Sequence, residues 1–172
     1  MIPLPSAVPT ALRWIRVPHS RNYELRASDN LVGSLRRPSL WSSRFDAETG
    51  NGHWMFRRSG FFCTGAEIVD TASGQVTATF KQGWRGGGWL TFADGQAFQL
   101  ECHSWWRPVW SVTTTAGPVL QLHARDRSVQ VPDGVAVDRT RLSLLMMFCW
   151  YRVLQAEEDA ASAATVAVLA GT

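Results

Sequence analysis

The sequence predicts a mainly β fold: a roughly 12-stranded antiparallel barrel closed around one long hydrophobic helix near the C-terminus. Three observations lead there. Short runs of residues between 12 and 131 alternate apolar with polar side chains, turn signatures divide those runs at regular intervals, and Leu142–Leu154 is apolar almost all the way round. Alternation marks a strand with one buried and one wet face. A helix that is hydrophobic on every side must be surrounded, and this one is shorter than the roughly 20 residues that cross a bilayer. The protein's own sheet is then the sheath.

The elements follow in chain order. Leu12–Val17 supplies a first strand. Tyr23, Leu25 and Ala27 alternate with Glu24, Arg26 and Ser28 up to a turn at Asp29-Asn30. Trp54 and Phe56 alternate with His53, Met55 and Arg57 after Asn51-Gly52. Val76, Ala78 and Phe80 alternate with Thr77, Thr79 and Lys81 after Ser73-Gly74. Phe98, Leu100 and Cys102 alternate with Gln99 and Glu101 after Asp94-Gly95, and Leu120 and Leu122 flank Gln121 after Ala116-Gly117. Asn-Gly and Asp-Gly supply the positive φ angles of tight hairpins. Five hairpins make ten strands, and Leu12–Val17 with Arg127–Val131 bring the number to twelve.

A sheet of that width curls, and closure removes its exposed edges. A barrel wider than eight strands leaves a lumen, which a helix about 10–12 Å across can fill. Inward small residues such as Ala27, Gly33, Ala78 and Ala124 leave room for it. The lengths agree as well: thirteen helical residues rise about 20 Å, close to a six- or seven-residue strand of about 20–23 Å. The expected organisation is one domain over 12–160, with its central helix at about 140–156. An N-terminal arm occupies 1–11 and a C-terminal tail 161–172.

Composition sets the bounds. With 172 residues, 45% hydrophobic and 18% charged, the chain suits a single globular core. Cys63, Cys102 and Cys149 are odd in number and lack metal-ligand spacing, so they read as reduced thiols, with no metal and no cofactor implied. Met1–Ser6 has no basic residue and three prolines fall by position 9, a poor secretory signal. Arg152 and Glu157-Glu158-Asp159 interrupt Leu142–Ala170, and each such charge costs about 2.5–3.5 kcal/mol at a bilayer centre. No transmembrane span is expected, and Ala160–Ala170 reads as a peripheral helix or a loose tail. The expected location is cytoplasmic, or peripheral at the inner membrane face.

The net charge is +3 and unevenly spread: residues 1–60 hold nine arginines against four acids. Sixteen of the seventeen basic residues are arginine, which a GC-rich genome explains as well as function does.

A curled antiparallel barrel ending in a hydrophobic helix threaded through its middle resembles the tubby C-terminal-like superfamily, which includes tubby domains, phospholipid scramblases and plant LURP-one-related proteins. The hairpin order and the segment from Leu142 through Leu144, Met147, Trp150 and Gln155 to Ala161 carry the resemblance, over residues 12–160. It implies this barrel and, for tubby domains, phosphoinositide binding by a basic pair on a strand; no such pair aligns here. The calcium-binding acidic segment and cysteine-rich palmitoylation site of scramblases are also lacking. Asp126 and Asp133 stand alone and Cys63 has no cysteine neighbour, so calcium-driven lipid scrambling is not implied.

Strand direction sorts the chemistry. In an up-and-down barrel, hairpin turns share one end and the links between hairpins share the other. The turn end collects Asp29, Glu48, Ser73, Asp94 and Gly117. The link end collects Arg36, Arg37, Trp41, Arg57, Arg58, Lys81, Trp84, Arg85, Trp89, Trp105, Trp106 and Arg107. Of these, Arg36, Arg37, Trp41, Arg57, Arg58, Lys81, Trp84, Arg85, Trp106 and Arg107 form the candidate ligand-binding rim. Arginine grips phosphate with a planar fork and tryptophan favours the water–lipid interface. The same residues also suit a structural role, tryptophans packed under loops with arginines stacked on them.

Gly83–Gly88 lacks the Gly-Lys-Ser/Thr ending of a phosphate loop and reads as a mobile link. If the helix enters from the turn end, Glu157-Glu158-Asp159 emerges at the arginine rim and latches it. Catalytic residues do not stand out: His19, His53, His103 and His123 are scattered, and Cys102-His103, adjacent in a strand, point to opposite faces. The expectation is a non-enzymatic binding module for anionic phospholipid headgroups or an acidic partner. The alternative is a protein–protein interaction domain using exposed tryptophans. Nucleic acid is not expected as a partner, because the charge excess is modest and no recognised module appears.

Overall fold

The computed structural model describes residues 1, 11–39, 42–60, 64–83, 86–104 and 108–170. Twelve strands form one closed antiparallel barrel. They are β1 (Leu12–Arg16), β2 (Tyr23–Ala27), β3 (Asn30–Arg36), β4 (Phe45–Thr49), β5 (Gly52–Ser59) and β6 (Gly65–Asp70). Then come β7 (Val76–Gln82), β8 (Gly88–Phe92), β9 (Ala97–Cys102), β10 (Val109–Thr114), β11 (Gly117–His123) and β12 (Ser128–Gln130). Each strand pairs with its chain neighbours, and β1 closes on β12 through Leu12↔Val129 and Arg13↔Ser128. The fold class is the one the alternation predicts.

The one α-helix among the described residues, α1 (Arg139–Ala170), fills the barrel. All fourteen residues from Leu142 to Gln155 are buried, a rise of about 21 Å. Phe148 sits among Phe56 (ring centroids 5.6 Å apart), Phe80 (5.4 Å) and Tyr151 (5.6 Å). Trp150 stacks on Trp14 at 5.5 Å and 12°, with Tyr23 edge-on. Gly33 leaves room for the helix: a Cβ there would lie 2.2 Å from Met147 Cε, the far end of a flexible side chain, and 3.1 Å from the Glu48 carbonyl. Ala27 and Ala78 also face the helix side as expected, whereas Ala124 lies in the β11–β12 link and not in the wall.

The helix enters from the turn end. Asp138 caps it by accepting the Arg141 backbone N–H at 3.0 Å, the standard use of an N-cap carboxylate. Asn51, in the β4–β5 turn, donates to the Arg139 carbonyl at 3.3 Å and to Ser143 Oγ at 3.0 Å. Arg141 pairs with Asp94 and Gln96 at the β8–β9 turn and lies 5.0 Å over Phe92.

The buried span Leu142–Gln155 coincides with the central helix expected at about 140–156, and beyond it Ala160–Ala170 takes the first of its two expected forms, a peripheral helix: α1 runs 32 residues, to Ala170. An established helix propagates through alanine at little cost, and nothing breaks the sequence before Gly171. Ala160–Val166 is exposed throughout. Among the described residues no helix is long and apolar enough to cross a membrane.

Candidate functional site

Because α1 enters at the turns, it leaves at the links, and its acidic turn arrives there with it. Glu158 pairs with Arg37, which follows β3, and Asp159 Oδ1 accepts from Arg58 Nη2, on β5, at 2.8 Å. These contacts join residues 121 and 101 positions apart in sequence. Arg37 is further fixed by donating from Nε to the Ser42 carbonyl at 2.6 Å and by lying 5.3 Å over Phe45. Burial opposes the charge on Arg58. The hydrogen bond and charge of Asp159, with smaller help from Tyr151 and Glu158, outweigh it, and the guanidinium is held above its usual value.

The other rim residues divide. Arg57, one residue from Arg58 and therefore on the opposite face of β5, pairs with Glu67 on the outer wall at 2.6 Å. Arg36 is exposed and faces Asp46 in register, and Lys81 is exposed opposite Trp89. Trp89 itself is 49% exposed on the outer wall. Trp41, Trp84, Arg85, Trp105, Trp106 and Arg107 lie outside the described residues. Of the ten candidate rim positions, then, Arg37 and Arg58 turn toward the helix exit, while Arg36, Arg57 and Lys81 sit at the same end on the outside.

Sequence reasoning passed over the rest of the exit collar. At the acidic turn opens a cleft of about 290 Å³, lined by Arg16, Arg21, Tyr23, Arg37, Phe45, Leu154 and Ala161 together with the two carboxylates Glu157 and Glu158. Arg16 and Arg21 border the β1–β2 link and Arg127 the β11–β12 link. The parity argument that sorted the other strands applies equally to these two links. Arg16 donates from Nε to the Ser20 carbonyl at 3.1 Å, and among the described residues none of Arg16, Arg21 and Arg127 forms an ion pair. Partial desolvation holds the Glu157 carboxyl above the usual range; Arg127 opposes the shift and Glu158 adds to it. Burial raises the Tyr23 hydroxyl too, against the pull of Arg16, Arg127 and Arg21.

Arg152, 5% exposed, extends the positive charge inward. It donates to Gln155 Oε1 (2.6 Å), Gln82 Oε1 (3.1 Å) and the Gly86 carbonyl (3.2 Å), and lies 4.7 Å over Phe80. All these acceptors are neutral, its Nε has no partner, and burial lowers its pKa. The glycine-rich link that reads as mobile thus supplies a carbonyl to a buried cation.

No family model, curated protein or solved structure matches this chain.

Two other places were candidates for chemistry. At the turn end a cleft of about 590 Å³ is lined by Trp54, Asp70, Asp94, Asp138 and Arg141. Its acids are engaged: Asp94 and Asp138 pair with Arg141, and Asp70 accepts from Ala72 and Ser73. On the wall, His103 Nε2 lies 2.6 Å from Ser111 Oγ and 3.6 Å from Glu101 Oε2. A nucleophile–base–carboxylate relay needs the carboxylate on the other ring nitrogen. Here both contacts fall on one, and Ser111 is buried. Among the described residues no group of His, Cys, Asp and Glu could hold a metal ion.

Proposed function

We propose that the chain is a non-enzymatic binding module that takes an anionic phospholipid headgroup at the arginine collar around the helix exit, working in the cytoplasm and peripherally at the inner membrane face. One observation carries this reading: the collar holds two carboxylates of the chain's own helix, Glu158 on Arg37 and Asp159 on Arg58. Arginines placed to bind anions, with Arg16, Arg21 and Arg127 nearby and without an ion pair among the described residues, suit a charged headgroup. The filled lumen supports a binding role over catalysis, since the usual interior pocket of a barrel is occupied by α1.

The test is co-sedimentation of the full chain with vesicles with and without anionic lipid, repeated in about 1 M salt, where charges are screened beyond about 3 Å. Binding that requires anionic lipid and disappears in salt is the expected result. Binding indifferent to both would overturn the reading. A second reading, a protein–protein interface on the outer wall, draws on Trp89, whose 49% exposure is unusual for so large a side chain. In that case Trp89→Ala abolishes partner capture and salt does not.

A further inference from the structure

We infer that the collar is guarded by the acidic turn of α1 and admits a phosphate monoester dianion in place of Glu158 and Asp159. This deepens the headgroup reading above and rests on it.

The guard is tethered. Glu158 and Asp159 follow directly from the buried part of the helix, so their carboxylates stay at the collar at a local concentration far above that of any dilute solute. A monoanion offers the arginines nothing the resident carboxylates lack. A phosphate monoester brings nearly twice the charge on one group and three oxygens matched to guanidinium forks. It also meets donors that Glu158 and Asp159 leave unused, because Arg16 and Arg21 line the adjoining cleft and, among the described residues, neither forms an ion pair. That cleft, about 290 Å³, has room for the group, and Phe45, Leu154 and Ala161 give it an apolar side for the rest of an amphiphile.

The guard can also leave. Burial ends at Gln155, and from Ala160 to Val166 every residue is exposed. Among the described residues the side chains of that stretch make two hydrogen bonds, Ser162 to Glu158 and Thr165 to Ala161, both within the helix. Displacing the acidic turn therefore breaks two ion pairs and leaves the buried span Leu142–Gln155 in place.

The experiment compares the wild-type chain with the double variant Glu158→Gln/Asp159→Asn. The vesicles are phosphatidylcholine carrying phosphatidic acid, a monoester, or phosphatidylglycerol, a diester, at matched surface charge. Wild type should prefer phosphatidic acid. The double variant should bind phosphatidylglycerol more tightly than wild type by about twofold to thirtyfold, the effect of relieving two partly exposed ion pairs. Its preference for the monoester should narrow. Competition by free pyrophosphate supports the site with a soluble phosphate as its source; vesicle binding untouched by pyrophosphate supports it with a lipid as source. Equal binding by the two chains, both melting as folded proteins, overturns the guard and leaves the collar reading standing. Failure of both chains to bind any anionic vesicle overturns both.

Discussion

Replacing Phe148 with alanine removes the ring at the centre of the enclosed helix. The side chain is fully buried and meets three aromatic rings, Phe56, Phe80 and Tyr151, at 5.4–5.6 Å. Phe→Ala in a core costs about 3–5 kcal/mol, and the spread reflects how far the surroundings collapse into the cavity. Here collapse is restricted, because a closed wall hydrogen-bonded on both sides of every strand cannot move inward at one place. The loss of the edge-on pair with Phe56, worth about 0.5–1.5 kcal/mol beyond its area, pushes the same way. The expected destabilisation is about 4–5 kcal/mol. For a domain of this size that lowers the melting temperature by about 8–20 °C. Urea unfolding followed by circular dichroism measures it, with Val166→Ala, on the exposed extension, as a control expected within about 0.5 kcal/mol. A Phe148→Ala loss no larger than that of Val166→Ala would refute the enclosed helix.

Three further outcomes follow from the same packing. Gly33→Val should destabilise by about 1–3 kcal/mol, as overpacking does, because even a Cβ meets Met147; an unchanged denaturation midpoint would count against that contact. Burial pushes the Cys149 thiol up to about 12. Iodoacetamide at pH 8 should therefore leave Cys149 unmodified in the folded protein and alkylate it in urea, which mass spectrometry of peptides reads directly. Asp70 accepts from the Ser73 N–H and hydroxyl and the Ala72 N–H, which hold its carboxyl below the usual range. A depressed folded value gives stability that is present above the unfolded pKa of about 3.9 and lost as pH falls through the folded value. Asp70→Asn should lower the melting temperature at pH 7, with the difference from wild type shrinking as acid is added; a difference constant with pH would contradict the assignment.

Most of the wall was legible because each strand carries its own alternation and each hairpin its own turn residues. Asn51-Gly52 and Asp94-Gly95 mark ends of strands wherever those strands lie in space. The direction of α1 was legible too, since twelve strands return the chain to the turn end and a helix entering there must leave among the links. The side a residue faces was less accessible. Strand order assigns Arg57 and Arg58 to the same end, but neighbours in a strand face opposite ways, so one meets Glu67 on the wall and the other Asp159 at the exit. Trp89 belongs to the outer wall for the same reason, Leu90 being the inward residue. Arg16, Arg21 and Arg127 were missed because their links carry no tryptophan to draw attention, although parity places them at the collar. The sequence left Ala160–Ala170 open between helix and tail because charge and then alanine follow the apolar run. Both end burial, and neither ends a helix.

Amide hydrogen exchange along α1 tests the central claim most directly. Enclosure predicts that Leu144–Gln155 exchanges only through global unfolding, as slowly as the most protected wall strands. Amides beyond Ser162 should exchange with little protection, the boundary falling at Glu157–Asp159. Exchange that is uniform along the helix, or faster in Leu144–Gln155 than in β5 and β10, would contradict a helix sheathed by the barrel that delivers its acidic turn to the arginine collar.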